Sequence, residues 1–173
     1  MAKKTKIIRV EEDFDRDDLY YRANFVKVTG RISLDGDLLL YGSLVIANGA
    51  TLTVHGRIMN LGRGVVTVRP GGLLVLGGVE VQPLNLKNLI RIAPLALAPG
   101  ALKMEVVHTC KTTHCLGGWA VAAIPGGRDL SRQYGWYQAG LMLLGHKAGR
   151  MFFVCNGVAK KWLKQFVGKM ENA

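Results

Sequence analysis

Between Val26 and Val81 the apolar residues fall in pairs two positions apart: Ile32/Leu34, Leu38/Leu40, Leu44/Ile46, Leu52/Val54, Val66/Val68 and Leu74/Leu76. A two-residue period puts both members of a pair on one face of an extended chain, so each pair predicts a short strand with one buried face. Glycines stand between the pairs, at Gly30, Gly36, Gly42, Gly49 and Gly56 and then at Gly62, Gly64, Gly71, Gly72, Gly77 and Gly78. This punctuation predicts a turn after every short strand. Regular short strands of this kind predict a repeat architecture, a small parallel β-solenoid of about three to four coils that stacks Leu, Ile and Val into one column. Asp35-Gly36 and Asn48-Gly49 are hairpin-type dipeptides, so an antiparallel meander is the alternative.

The pattern changes twice after Val81. Residues 82–103 keep some apolar alternation, but Pro83, Pro94 and Pro99 argue against a helix and predict an irregular coil or extended connector. Beyond Lys103 the spacing is helical. Thr112 or Thr113 is placed to cap a helix with body His114 to Ala123, which Pro125-Gly126-Gly127 would stop. Asp129 and Ser131 offer a second start. Asn156 offers a third, for a helix in which Val158, Trp162, Leu163, Phe166, Val167 and Met170 recur at helical intervals and Lys160, Lys161, Lys164 and Lys169 fall mostly elsewhere. The expected fold class is therefore β-rich α+β: a charged N-terminal arm over 1–25, solenoid-like repeats over 26–103 and a helical module over 104–173.

Composition narrows the classes. The chain has 173 residues, 49% of them hydrophobic, which is enough apolar content to offset the ordering entropy of a folded core. Its longest apolar runs are far shorter than the roughly 18 to 20 residues of a membrane span. The N-terminus, Met1-Ala2-Lys3-Lys4, leads into an acidic stretch rather than the apolar segment of a secretory signal. Three cysteines do not make a disulfide framework. A cytoplasmic location is the expectation.

Charge adds a partner class. The net charge is +11, yet residues 1–22 balance six bases against six acids, so residues 23–173 hold 17 bases against 6 acids. An excess of this size predicts an anionic macromolecule as partner, either nucleic acid or an acidic protein complex. Arg128, Arg132, Lys147, Arg150, Lys160, Lys161 and Lys164 are the candidate partner-binding residues. Trp136, Tyr137 and Trp162 read as core rather than as a base-stacking platform; if single-stranded nucleic acid is bound, Tyr134 and Trp136, beside Arg128 and Arg132, are the aromatic and basic cluster best suited to it.

One segment invites a chemical reading. His108, Cys110, His114 and Cys115 place two imidazoles and two thiols within eight residues, the elements of a tetrahedral metal site. Adjacent positions on a helix diverge by about 100°, however, and no second close-spaced pair completes the set. Cys110 beside Lys111, ahead of a helix, would be a nucleophile with His108 or His114 as base, but no third orienting residue can be named. Core packing is the competing reading and the one adopted: no catalytic residue, no metal and no cofactor are assigned. Gly62-Arg63-Gly64 reads as a turn, because no phosphate-loop Lys follows it, and His55 as a residue on a strand face.

The run from Cys110 through Gly117-Gly118-Trp119-Ala120 resembles a Cys-Gly-Thr-x-x-Cys-x-Ala-Gly-Trp-Ala signature of uncharacterised bacteriophage and prophage-type proteins. The resemblance extends through Ala139, Leu143-Leu144-Gly145, Phe152-Phe153, Asn156 and Trp162-Leu163, over residues 30–165. Lys111 stands where the signature has Gly, and Gly117 where it has Ala. The resemblance implies a viral origin and short β repeats joined to a helical module, without an activity.

Three functions follow as expectations. The first is a virus-encoded, non-enzymatic binding or assembly protein that engages an acidic partner in the host cytoplasm through a basic helical face. The second is a structural protein that self-assembles through open solenoid ends, as a homo-oligomer or on a virion. The third is an enzyme dependent on Cys110.

Overall fold

The apolar pairs do form strands, and their parallel partners lie 17 to 22 residues away in sequence. The computed structural model describes residues 20–104, 108–110 and 113–167, with side chains described at 27–104 and 114–167. Two compact units divide the chain, Met1–Val81 and Gln82–Ala173, and the protein is α+β.

The first unit holds two sheets. One contains β1 (Tyr20–Val28), β3 (Asp37–Ile46), β5 (Ile58–Asn60) and β6 (Val66–Val68), with β3 pairing β1 on one side and both β5 and β6 on the other. The other runs in the order β2 (Arg31–Leu34), β4 (Thr51–Val54), β7 (Leu73–Leu76) and β8 (Val79–Glu80). Every pairing is parallel except β7 with β8, which is antiparallel. The antiparallel meander is therefore not the arrangement.

Register follows burial. Ile32 lies opposite Leu52, and Leu52 opposite Leu74, all three buried. Leu38 and Leu44 face Ile58 and Val66 in the same way. Because side chains alternate across a strand, a slip of one residue would turn each of these buried columns to solvent, at roughly 1.5–3 kcal/mol for each large side chain.

Two expectations fail here for local reasons. Gly42 is not a turn but lies inside the ten-residue β3, where the strand passes from pairing β5 to pairing β6. The interruption falls instead on the opposite chain, at residues 61–65. A Cβ on Gly64 would sit 1.6 Å from the Gly42 carbonyl oxygen, so this loop presses directly on the β3 backbone. The end of the arm expected over 1–25 is also corrected, since β1 begins at Tyr20; residues 1–19 lie outside the described residues.

The second unit begins with a helix where a connector was expected. Helix α1 (Leu86–Leu97) contains Pro94 and is capped by Asn85, whose side chain accepts from the Asn88 amide at 3.1 Å. A proline inside a helix costs ~3 kcal/mol, but Leu89, Ile92, Ala93 and Ala96 are fully buried at helical spacing while Pro94 stays exposed. Burying Leu89 and Ile92 outweighs that cost. The change from strands to helices thus comes near Val81, not at Lys103.

A short hairpin follows, β9 (His108–Cys110) with β10 (Thr113–His114), and then α2 (Leu116–Ala123), α3 (Gly127–Tyr134), α4 (Trp136–Leu144), α5 (His146–Gly149) and α6 (Asn156–Val167). Helix α4 packs against α2, α3 and α5, and α1 packs against α6. Gly135 and Gly145 bracket α4 with φ of +81° and +92°, backbone that favours glycine. Phe152 and Trp136 close over the two glycines where α2 meets α4: a Cβ on Gly140 would lie 2.8 Å from the Phe152 ring, and one on Gly117 3.0 Å from the Trp136 ring.

Candidate functional site

The Cys/His segment is held by its backbone. His114 pairs with Leu102, its N–H donates to the Ala101 carbonyl, and its own carbonyl accepts from Lys103 N–H, both at 3.1 Å. Trp119 Nε1 donates to the same Ala101 carbonyl at 3.0 Å, and the His114 ring meets Trp119 edge-on at 4.9 Å. His114 is buried.

The predicted cap of α2 is corrected. The helix starts at Leu116 rather than His114, and its cap is Cys115, whose Sγ accepts from the Gly118 amide at 3.4 Å. Burial pushes the Cys115 thiol up, against the smaller opposite pull of the Gly118 and Gly117 amides, so this sulfur is a protonated cap and a poor nucleophile. Cys110 does not stand at a helix N-terminus, because it ends β9 and β10 comes between it and α2. The side chains of His108, Cys110 and Thr113 lie outside those described, as do Lys111 and Thr112 altogether. Backbone pairing sets His108 opposite His114 and Cys110 opposite Thr113. Among the described residues no group of three or more His, Cys, Asp or Glu is arranged to hold a metal.

Trp136 is built into packing. Its ring meets Tyr137, Phe152 and Phe153 at 5.8, 6.2 and 5.9 Å, and the Tyr134 hydroxyl accepts from Gln133 Nε2 at 2.9 Å. A base-stacking platform from Tyr134 and Trp136 finds no support in this arrangement.

The basic residues spread over several elements. Arg128 and Arg132 are exposed on α3, Lys147 lies on α5 with Arg150 at its end, and Lys160, Lys161 and Lys164 lie on α6. Arg132 pairs with Asp129. In the described part of this unit ten Lys and Arg face a single acid, Asp129. Helix α1 adds Lys87 and Arg91, both exposed, which the sequence reading missed because it placed them in a connector.

Asn156 departs from its expected capping role. It is the first residue of α6, and its side-chain oxygen accepts from the Met104 amide at 2.7 Å. On α6 the buried face is Ala159, Leu163 and Phe166, with Trp162 edge-on to Phe166 at 4.9 Å. Val158 and Val167, expected on that face, are exposed, and Met170 lies outside the described residues. With Leu86 and Leu95 of α1 they are the exposed large hydrophobic residues of this unit, among those described.

Elsewhere, the His55 ring meets the Ser33 hydroxyl at 3.2 Å on the exposed side of the strand unit. No described helix is long and apolar enough to cross a membrane. Compared with protein-family models, curated proteins and solved structures, the chain matches none.

Proposed function

We propose that this is a virus-encoded, non-enzymatic binding or assembly protein, in which a small parallel β-solenoid carries a basic helical unit that engages an acidic macromolecule. The solenoid reading is supported by the parallel registers, in which Arg31, Thr51 and Leu73 succeed one another across β2, β4 and β7. The viral origin rests on the resemblance of the Cys110–Val121 segment. The partner reading rests on one observation: in the helical unit a single described acid, already paired with Arg132, faces ten bases. Such a surface repels itself and concentrates anions.

The test is charge reversal on the intact chain. Lys161→Glu with Lys164→Glu, and separately Arg128→Glu with Lys147→Glu, should each weaken binding to the partner recovered by affinity purification, and added salt should weaken it further. If phosphate is the anion, log K for a DNA duplex falls by ~0.9 per phosphate contact for each tenfold rise in salt. Binding that is indifferent to salt and to both reversals would sink the reading.

A second reading, self-assembly through strand edges, is favoured by the strand order, which leaves β1 on one outer side of its sheet and β5 and β6 on the other. Light scattering after size exclusion decides it; a monomer at high concentration counts against it.

A further inference from the structure

We infer that the lysine face of α6 is a docking surface for the phosphate backbone of double-stranded nucleic acid, held without reading its sequence. The inference rests on the acidic-partner reading and narrows it to one class of partner. An α-helix turns about 100° per residue, so Lys160, Lys164, Gly157 and Lys161 fall, in that order, within one arc of about 100°. Lys161, Lys164 and Gly157 are exposed, and Lys160 is half-buried. A Cβ on Gly157 would meet nothing within 4 Å, so the approach to this face is open. The buried stripe of Ala159, Leu163 and Phe166 is centred about 140° away. Trp162, edge-on to Phe166 at 4.9 Å, also stands outside the lysine arc. One helix alone sets this face.

The stability of α6 does not account for the face. Lys160 with Lys164, and Lys161 with Lys164, are like-charge pairs at four- and three-residue spacing, which destabilise a helix. The helix contains no Asp or Glu to offset them, whereas an anion spanning all three lysines would. What the arc lacks decides among anions. Protein interfaces are enriched in Arg and aromatic residues and depleted in Lys; the arc holds Lys and neither of the others. Single-stranded nucleic acid is held by bases stacked on aromatic rings, and Trp162 lies away from the lysines. Base edges in a groove are read most often by Arg, and α6 has none. A lipid surface takes a helix whose apolar stripe is free, whereas that of α6 is buried within its unit. A duplex backbone asks only for cations: three lysines over about 6 Å of helix axis meet charges that recur every ~1.7 Å of duplex.

The experiment titrates the full chain, over a range of salt, with two DNA duplexes of unrelated sequence and the RNA duplexes of the same sequences. A DNA single strand, polyglutamate, and vesicles of phosphatidylcholine with phosphatidylserine complete the set of probes. The two sequences should bind alike, as DNA, RNA or both, with log K falling linearly in log salt. On DNA, Lys160→Gln, Lys161→Gln and Lys164→Gln together should reduce that slope by about 2–3, and each alone by about 0.9. Gln forms helices as readily as Lys, so far-ultraviolet circular dichroism should not change; should the triple variant unfold, the single variants carry the test. An unchanged slope in the variants, a preference of about tenfold for one sequence, or tighter binding of the single strand overturns the inference. Polyglutamate bound more tightly than the duplexes also overturns it but leaves the acidic-partner reading standing. Binding to vesicles alone, or to no probe at low salt, removes both.

Discussion

The side-chain amide of Asn60 holds Gly64 from both directions: Nδ2 donates to the Gly64 carbonyl at 2.5 Å and Oδ1 accepts from the Gly64 amide at 2.9 Å. This clasp closes the 61–65 loop, in which Arg63 adopts a left-handed φ of 56°. It lets β5 and β6 both pair with β3 across the interruption.

Asn60→Ala should therefore destabilise the strand unit by about 2 kcal/mol, the loss of two part-buried hydrogen bonds. Gly64→Ala should cost more, because its Cβ would meet backbone rather than a movable side chain. Urea unfolding of each variant provides the measurement. A loss below ~0.5 kcal/mol for Asn60→Ala would mean that water replaces the clasp.

What sequence made legible, and what it hid, divides along local and non-local physics. Ile32, Leu52 and Leu74 announce their strands because a two-residue period is a local property. That Ile32 faces Leu52 and Leu52 faces Leu74 depends on chain 20 and 22 residues away. Helix α1 was hidden because the proline rule is local and the burial of Leu89 and Ile92 that overrides it is not. Asn156 was legible as a helix start, but its side chain serves Met104, fifty-two residues upstream. At the candidate site, Lys161 and Lys164 were legible from charge alone. The helix that carries Lys87 and Arg91, and its packing against α6, were not.

His146 should make the stability of the helical unit depend on pH. Its ring is buried, and burial first, then the charges of Lys147 and Arg150, lowers its pKa below the ordinary value of 6.5. The unfolded chain therefore binds a proton at a higher pH than the folded one. This contribution is complete above the unfolded pKa and is lost as pH falls through the lowered folded value. Urea midpoints should decrease on acidification from neutral pH, and His146→Gln should flatten that slope. An unchanged slope in the variant would place the dependence on other groups.

The thiols should separate under alkylation. Cys155 is exposed and Cys115 is buried with its thiol pushed up. Under native conditions at neutral pH, iodoacetamide should modify Cys155 and spare Cys115 until denaturant is added, as peptide mass spectrometry would read. The same spectra report Cys110: labelling faster than an ordinary exposed thiol, together with loss of function in Cys110→Ala, would revive the enzyme reading.

The two glycines between α2 and α4 should respond differently to the same substitution. Alanine at either position gains up to about 1 kcal/mol of helix propensity. At Gly117 the new Cβ would lie 3.0 Å from Cε3 and Cζ3 of Trp136, a ring only half-buried that has room to yield a few tenths of an ångström. At Gly140 it would lie 2.8 Å from Cε2 and Cζ of Phe152, which is 1% exposed and packed against Trp136 and Tyr137. Gly117→Ala should change stability by less than ~1 kcal/mol, whereas Gly140→Ala should cost about 1–3 kcal/mol as an overpacked core. Denaturant midpoints of the two variants compare them directly. Equal losses would mean that the Trp136 ring is as fixed as Phe152.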